Sequence, residues 1–287
     1  MTASDHVRWL SQPTLRSPAV IAAFSGWNDA ADASSTAVRT LIDAWNAEPL
    51  AEIDPELFTD FATIRPSVRL LDGVHRTIVW PKVSLWHAST PGADVILILG
   101  PEPSLRWRLF TEQIVSVAAR FEASMVLSLG ALLADVPHSR EVRVMGTAND
   151  QPTIDRFDLQ RSRYEGPTGI VGVLHDACSQ ASIPSASLWA AVPAYASQIP
   201  SPKAASALLA RAGEIIGTPA PLSALHNLWL RMTTKLMNSS KTTMIFANML
   251  NVLTQWATTF LIKKIHHNLN SNLAMTQPKT PKIMRTC

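Results

Sequence analysis

A chain of 287 residues, 47% hydrophobic and 16% charged, is long enough for one large domain with an appendage or for two small ones, with apolar residues enough for a substantial core. Two cysteines exclude a disulfide framework and a cysteine-built metal site. The net charge of +3 averages two unlike pieces: residues 1–225 hold 17 Lys/Arg against all 22 acids, a balance of −5, whereas residues 226–287 hold eight Lys/Arg and no acid.

Met1 to Leu10 lacks an apolar run behind a basic start, so no secretory signal is expected and a cytoplasmic setting is the default. The run Ala19 to Phe24 has the length of a buried strand, Ser25-Gly26 makes a turn, and a helix is expected from Ala30 to about Ala47. Asn28 and Asp29 stand where that helix begins, and both can cap free N–H groups. The spacing is neither Gly-x-Gly-x-x-Gly nor a phosphate loop. Asp54 to Phe61 reads as a second strand, and Asp72-Gly73 as a hairpin turn ahead of strands Arg76 to Trp80 and Val83 to His87. Pro81 marks a sheet edge or a break.

Asp94 to Gly100 holds five consecutive aliphatic residues and is the clearest buried strand. After Pro101-Glu-Pro, Ser104 can cap a long helix reaching Phe121. Met125 to Leu129 is a further strand closed by Gly130, followed by strand Val142 to Met145, helix Gly169 to Ala181, strand Ser187 to Val192 and an Ala/Leu helix opened by Ser201-Pro202 and running to about Ile216. Alternating strands and helices point to an α/β fold with a parallel or mixed sheet between helices. Cys178 falls among apolar helix positions and reads as core. Arg156, Arg161 and Arg163 alternate with Asp155, Asp158 and Glu165, a solvated mixed-charge face rather than a nucleic-acid stripe.

Several blocks together resemble the proteasome assembly chaperone 2 family in its bacterial branch. They are Gly26-Trp27-Asn28-Asp29-Ala30, Arg65-Pro66 followed by Asp72-Gly73 and Trp80-Pro81, Gly100-Pro-Glu-Pro with Trp107, Asp135-Val-Pro-His-Ser-Arg and Val192-Pro-Ala-Tyr, covering about residues 8–225 in order. The resemblance implies a three-layer α/β/α sandwich similar to nucleoside-phosphorylase-like folds, with a short C-terminal helical appendage. It also implies homo-oligomers, trimers by preference, and relatives that escort proteasome assembly. It carries over no catalytic residue, metal or cofactor. Ala194 stands where the family pattern has His.

Ligand-binding candidates are Trp27, Asn28, Asp29, Glu102, His138 and Arg140, all in loops that follow strands. Trp27, Asn28 and Asp29 at a helix start could hold a small polar ligand, or form a cap. Glu102 between two prolines could act as a base, or accept N–H groups of the helix opened by Ser104. His138 with Asp135 and Arg140 could move protons or hold an anion, or simply brace a loop. Two functions follow. One is a protein-binding assembly module with no chemistry of its own and a protein client; the other is an enzyme with a phosphorylase- or hydrolase-like pocket at the strand ends.

The acid-free tail, residues 226–287, contains an uncharged stretch at 242–262 long enough to cross a membrane. Asn248, Asn251 and Gln255 make that a poor span, since each amide needs a partner in lipid. The preferred reading is a shifted reading frame. Taking the last base of each codon with the next two allows an acidic amphipathic helix like the one the family carries at this place.

Overall fold

The computed structural model describes residues 6–223 and Leu225. The tail readings, whether frame, membrane anchor or C-terminal helix, lie outside these residues. Ten strands form: β1 Val7–Trp9, β2 Ala19–Ser25, β3 Glu48–Ile53, β4 Ser67–Leu71, β5 His75–Val79, β6 Val83–Ser89, β7 Asp94–Pro101, β8 Met125–Ala134, β9 Val144–Ala148 and β10 Ser185–Pro193. The α-helices are α1 Ala33–Ala44, α2 Trp107–Arg120, α3 Gln151–Phe157, α4 Ile170–Gln180 and α5 Pro202–Ile216.

Eight strands make one mixed sheet in the order β1-β3-β6-β7-β2-β8-β10-β9. The four central strands β7, β2, β8 and β10 run parallel, and antiparallel strands flank them on both sides. Their continuous apolar runs have a physical cause, because a parallel strand covered on both faces must be apolar at every position. Successive residues still divide by face. Ile21, Ala23, Leu97, Leu127 and Leu188 join Val38 and Leu41 of α1 and Leu208 of α5. Val20, Ala22, Ile96, Ile98 and Val126 join Phe110 and Ile114 of α2 and Leu174 and Cys178 of α4. The result is the expected α/β/α layering. Burial pushes the Cys178 thiol up to about 12, so it stays a neutral core group.

Some elements differ from the sequence expectation. Asp54 to Phe61 is not a strand: Asp54 Oδ1 accepts the Glu56 N–H, Pro55 lacks a donor, and a 3-10 turn forms there after β3. The first helix starts at Ala33, behind a 3-10 turn in which Ala31 and Asp32 take left-handed φ of 54° and 52°. Likewise α2 starts at Trp107, because the Ser104 and Leu105 N–H groups both donate to the Phe58 carbonyl and Arg106 turns to φ 53°. Gly130 does not end β8. A Cβ there would stand 2.6 Å from the Trp189 ring, so this glycine serves a close packing contact and the strand runs on to Ala134. The strand expected at Val142 to Met145 begins two residues later, and β1, β3 and α3 lie where the sequence reading placed no element.

Strands β4 and β5 stand apart as a two-stranded hairpin. Asp72 (φ 52°) and Gly73 (φ 73°) both take the positive angles that a tight two-residue hairpin turn demands.

Candidate functional site

Parallel strands share a direction, so the loops after β2, β7, β8 and β10 emerge along one edge of the sheet, the edge where open α/β sheets bind ligands. Trp27, Asn28 and Asp29 follow β2, Glu102 follows β7, and His138 and Arg140 follow β8.

Asn28 and Glu102 meet. The Asn28 Nδ2 group donates to Glu102 Oε1 at 2.7 Å, and the same oxygen accepts the N–H of Ile170, the first residue of α4, at 2.8 Å. The Glu102 N–H returns to the Ser25 carbonyl. A carboxylate at a helix N-terminus also meets the positive end of the helix dipole. Glu102 therefore caps α4 rather than the helix behind Ser104. Gly169 makes the close approach possible, since a Cβ there would lie 2.4 Å from Asn28 Oδ1.

Asp29 faces another helix. Its Oδ1 accepts the Ser34 N–H at 2.7 Å, the Ser34 hydroxyl at 2.6 Å and the Ser35 N–H at 3.2 Å, so it caps α1. Its buried Oδ2 finds no partner among the described residues. Asn28, though adjacent, takes no part in this cap. Its carbonyl accepts the Ala131 N–H and ties the loop to β8.

Trp27 is 66% exposed. His138 pairs elsewhere: its Nδ1 lies 2.7 Å from the Tyr195 hydroxyl, which also accepts the His138 N–H. Lys203 Nζ donates to the carbonyls of His138 and Arg140. The Asp135 and Arg140 side chains are exposed and make no hydrogen bond or ion pair among the described residues. The loop is thus braced by a phenol and an ammonium rather than by Asp–His–Arg contacts. Tyr195, Gly169 and the Ile170 N–H escaped the sequence reading. Tyr195 lies in the Val192-Pro-Ala-Tyr block, and Gly166-Pro-Thr-Gly169 does announce a helix start, but neither reveals its distant partner.

A cavity of about 10 Å³, lined by Ile53, Phe58, Val83, Pro103 and Phe110 among others, has room for one water and includes none of the six candidates. Among the described residues no group of three His, Cys, Asp or Glu is placed to hold a metal ion, and no helix is long and apolar enough to cross a membrane.

The PAC2 family model matches residues 23–237, past the composition boundary at 225. A PAC2 family protein from Streptomyces avermitilis MA is similar, with 42% identity and a TM-score of 0.70, over 79% of this chain and 98% of its own. A proteasome-assembly chaperone homologue from Mycobacterium tuberculosis has 43% identity and a TM-score of 0.68, over 78% and 98%. An archaeal proteasome activator from Pyrococcus furiosus shares the fold at 16% identity, with a TM-score of 0.67 over 80% and 96%. Comparison with curated proteins yields no match. With most of its length matched by the family model and a close structural relative at 42% identity, the chain belongs to the PAC2 family.

Proposed function

We propose that this protein is a cytoplasmic protein-binding module that assists assembly of a multi-subunit complex, has no chemistry of its own, and works as a homo-oligomer of three copies. One observation carries the reading. The polar groups at the centre of the sheet's carboxyl edge are largely engaged within the fold, with Glu102 Oε1 shared by Asn28 and α4, and Asp29 Oδ1 taken by α1. Large side chains stay exposed around them, namely Trp27, Leu105 after β7, Leu133 at the end of β8 and Tyr195 after β10. Exposed aromatic and aliphatic groups in the loops of this edge suit a protein surface better than a small molecule. The names of the Mycobacterium and Pyrococcus relatives support the same direction and suggest proteasome subunits as the first client to test.

The test mixes the full chain with purified bacterial proteasome subunits and follows complex formation by size-exclusion chromatography with light scattering. The reading expects a complex that Trp27→Ala with Tyr195→Ala weakens at least tenfold. Absence of any complex removes the proteasome as client; a complex indifferent to both substitutions removes this face.

A further inference from the structure

We infer that the client segment taken by the sheet's carboxyl edge is acidic: a large apolar residue seats on Trp27, and carboxylates on either side of it reach Arg106 and Arg140. The inference rests on the protein-binding reading above and names the chemistry of the partner.

Strand order sets the arrangement. Strand β2 lies between β7 and β8, so Trp27 emerges between the loop that carries Leu105 and Arg106 and the strand end and loop that carry Leu133 and Arg140. Neighbouring strands stand ~4.8 Å apart, which starts the two outer loops about 10 Å from each other. Trp27 is 66% exposed, and Leu105 and Leu133 are each 51% exposed. Trp and Arg are the side chains that most often carry the energy of a protein interface, where apolar neighbours keep water off them.

The backbone displays Arg106. This exposed residue takes a left-handed φ of 53°, which a long side chain seldom adopts. Both flanks fix it there. The Ser104 and Leu105 N–H groups donate to the Phe58 carbonyl, and the Trp107 Nε1–H donates to the Pro103 carbonyl at 2.6 Å. The guanidinium so presented makes no ion pair among the described residues. A left-handed residue held by its surroundings and aimed at solvent is where a fold stores strain for a contact with something else.

Charge selects the partner. The exposed charges of the loops after β2, β7, β8 and β10, with the first turns of the helices that follow, are Arg106, Arg108, Arg140, Arg143 and Lys203 against Asp32, Asp135 and Glu141. Their balance is +2, within residues 1–225 that carry −5. The two other acids of this edge, Asp29 and Glu102, cap α1 and α4. None of the four arginines has an ion pair among the described residues. A nucleic acid, charged at every nucleotide, would set phosphates against Asp135 and Glu141 and leave Leu105 and Leu133 without a counterpart. A peptide places its carboxylates where the arginines are and its apolar residue between them.

The experiment adds the full chain to two labelled eight-residue peptides and follows fluorescence anisotropy. One peptide has Leu-Phe at its centre with three glutamates on each side; the other has lysines in place of the glutamates. The acidic peptide is expected to bind at least tenfold tighter than the lysine peptide. Arg106→Asn plus Arg140→Gln should weaken it at least fivefold, and so should Trp27→Ala. Asparagine accepts a left-handed backbone, so that pair removes charge and leaves the loop in place, as a thermal melt checks. Arg39→Gln, at an exposed position further along α1, should change nothing. Equal binding of the two peptides, or an equal loss from Arg39→Gln, overturns the acidic partner. An oligonucleotide of eight thymidines that binds tighter than the acidic peptide assigns the arginines to phosphate and overturns it too. If neither peptide binds while the client complex still depends on Trp27 and Tyr195, the acidic partner falls alone. If that complex fails as well, the protein-binding face falls with it.

Discussion

Glu102 and Asn28, 74 residues apart, share a 2.7 Å hydrogen bond that joins the loops after two neighbouring strands and leaves Asn28 almost wholly buried. Removing the carboxylate strands the Asn28 amide and the Ile170 N–H together. Glu102→Ala should therefore cost about 2–4 kcal/mol, the sum of one buried orphan donor and one lost helix partner. Glu102→Gln keeps an acceptor oxygen at the same place and should cost about 1 kcal/mol. Urea denaturation of both variants measures the difference; equal losses would show that the bond to Asn28 contributes little.

Gly169→Ala attacks the same contact from the other side. The backbone there is ordinary, with φ −100°, so the predicted cost comes from a methyl placed 2.4 Å from Asn28 Oδ1 rather than from strain in the chain. A loss of about 1–3 kcal/mol is expected. Pairing it with Asn28→Ala should recover part of the loss, because the smaller side chain makes room. A purely additive double variant would count against this account.

Asp29 separates capping from charge. Asp29→Ala removes an acceptor used by three donors and should cost about 2 kcal/mol. Asp29→Asn keeps Oδ1 and replaces only the oxygen that has no partner, so it should be much milder. Thermal unfolding of the pair reads this directly.

A pH dependence follows from His175 on α4. Burial lowers its pKa, the nearby Asp150 carboxylate raises it less, and neither ring nitrogen has a hydrogen-bond partner among the described residues. The folded protein thus takes up a proton less readily than the unfolded chain, whose histidine titrates near ~6.5. The stability linked to His175 is whole above that pH and is lost as the pH falls through the lowered folded value. Melting temperatures at pH 8 and pH 5.5 should differ, and His175→Leu should flatten the decline. A slope unchanged in the variant assigns it to other groups.

The tail calls for a different measurement. We propose that residues 226–287 are read out of frame, so sequencing the gene across the codons for Leu225 and His226 should reveal an inserted or missing base. An uninterrupted frame to Cys287, with the protein recovered in the membrane fraction, would favour an anchor instead.

The central strands were legible because burial on both faces writes itself into consecutive letters, as in Val95 to Leu99. Local turn chemistry was legible too where it is contained within a few residues, as at Asp72-Gly73. What escaped depended on distant partners. Nothing near Ser104 announces that its N–H donates to the Phe58 carbonyl and delays α2. Gly130 looks like a strand stop until the Trp189 ring, 59 residues on, lies over it. Glu102 and His138 were recognisable as chemically able side chains, but their partners, Ile170 and Tyr195, are set by topology that single-sequence patterns do not encode.

The place of β2 in the sheet has a consequence for how the chain is made. This strand pairs through Ala19 with Val95 of β7 on one side and Met125 of β8 on the other. During synthesis it has neither neighbour until 76 and then 106 more residues have followed. At ~5–20 residues per second, the six apolar residues from Ala19 to Phe24 wait roughly 4–15 seconds for the first edge to close against. During that interval the nascent chain carries an unpaired, wholly apolar strand, so non-local pairing in this topology leaves it open to off-pathway contacts until the sheet closes.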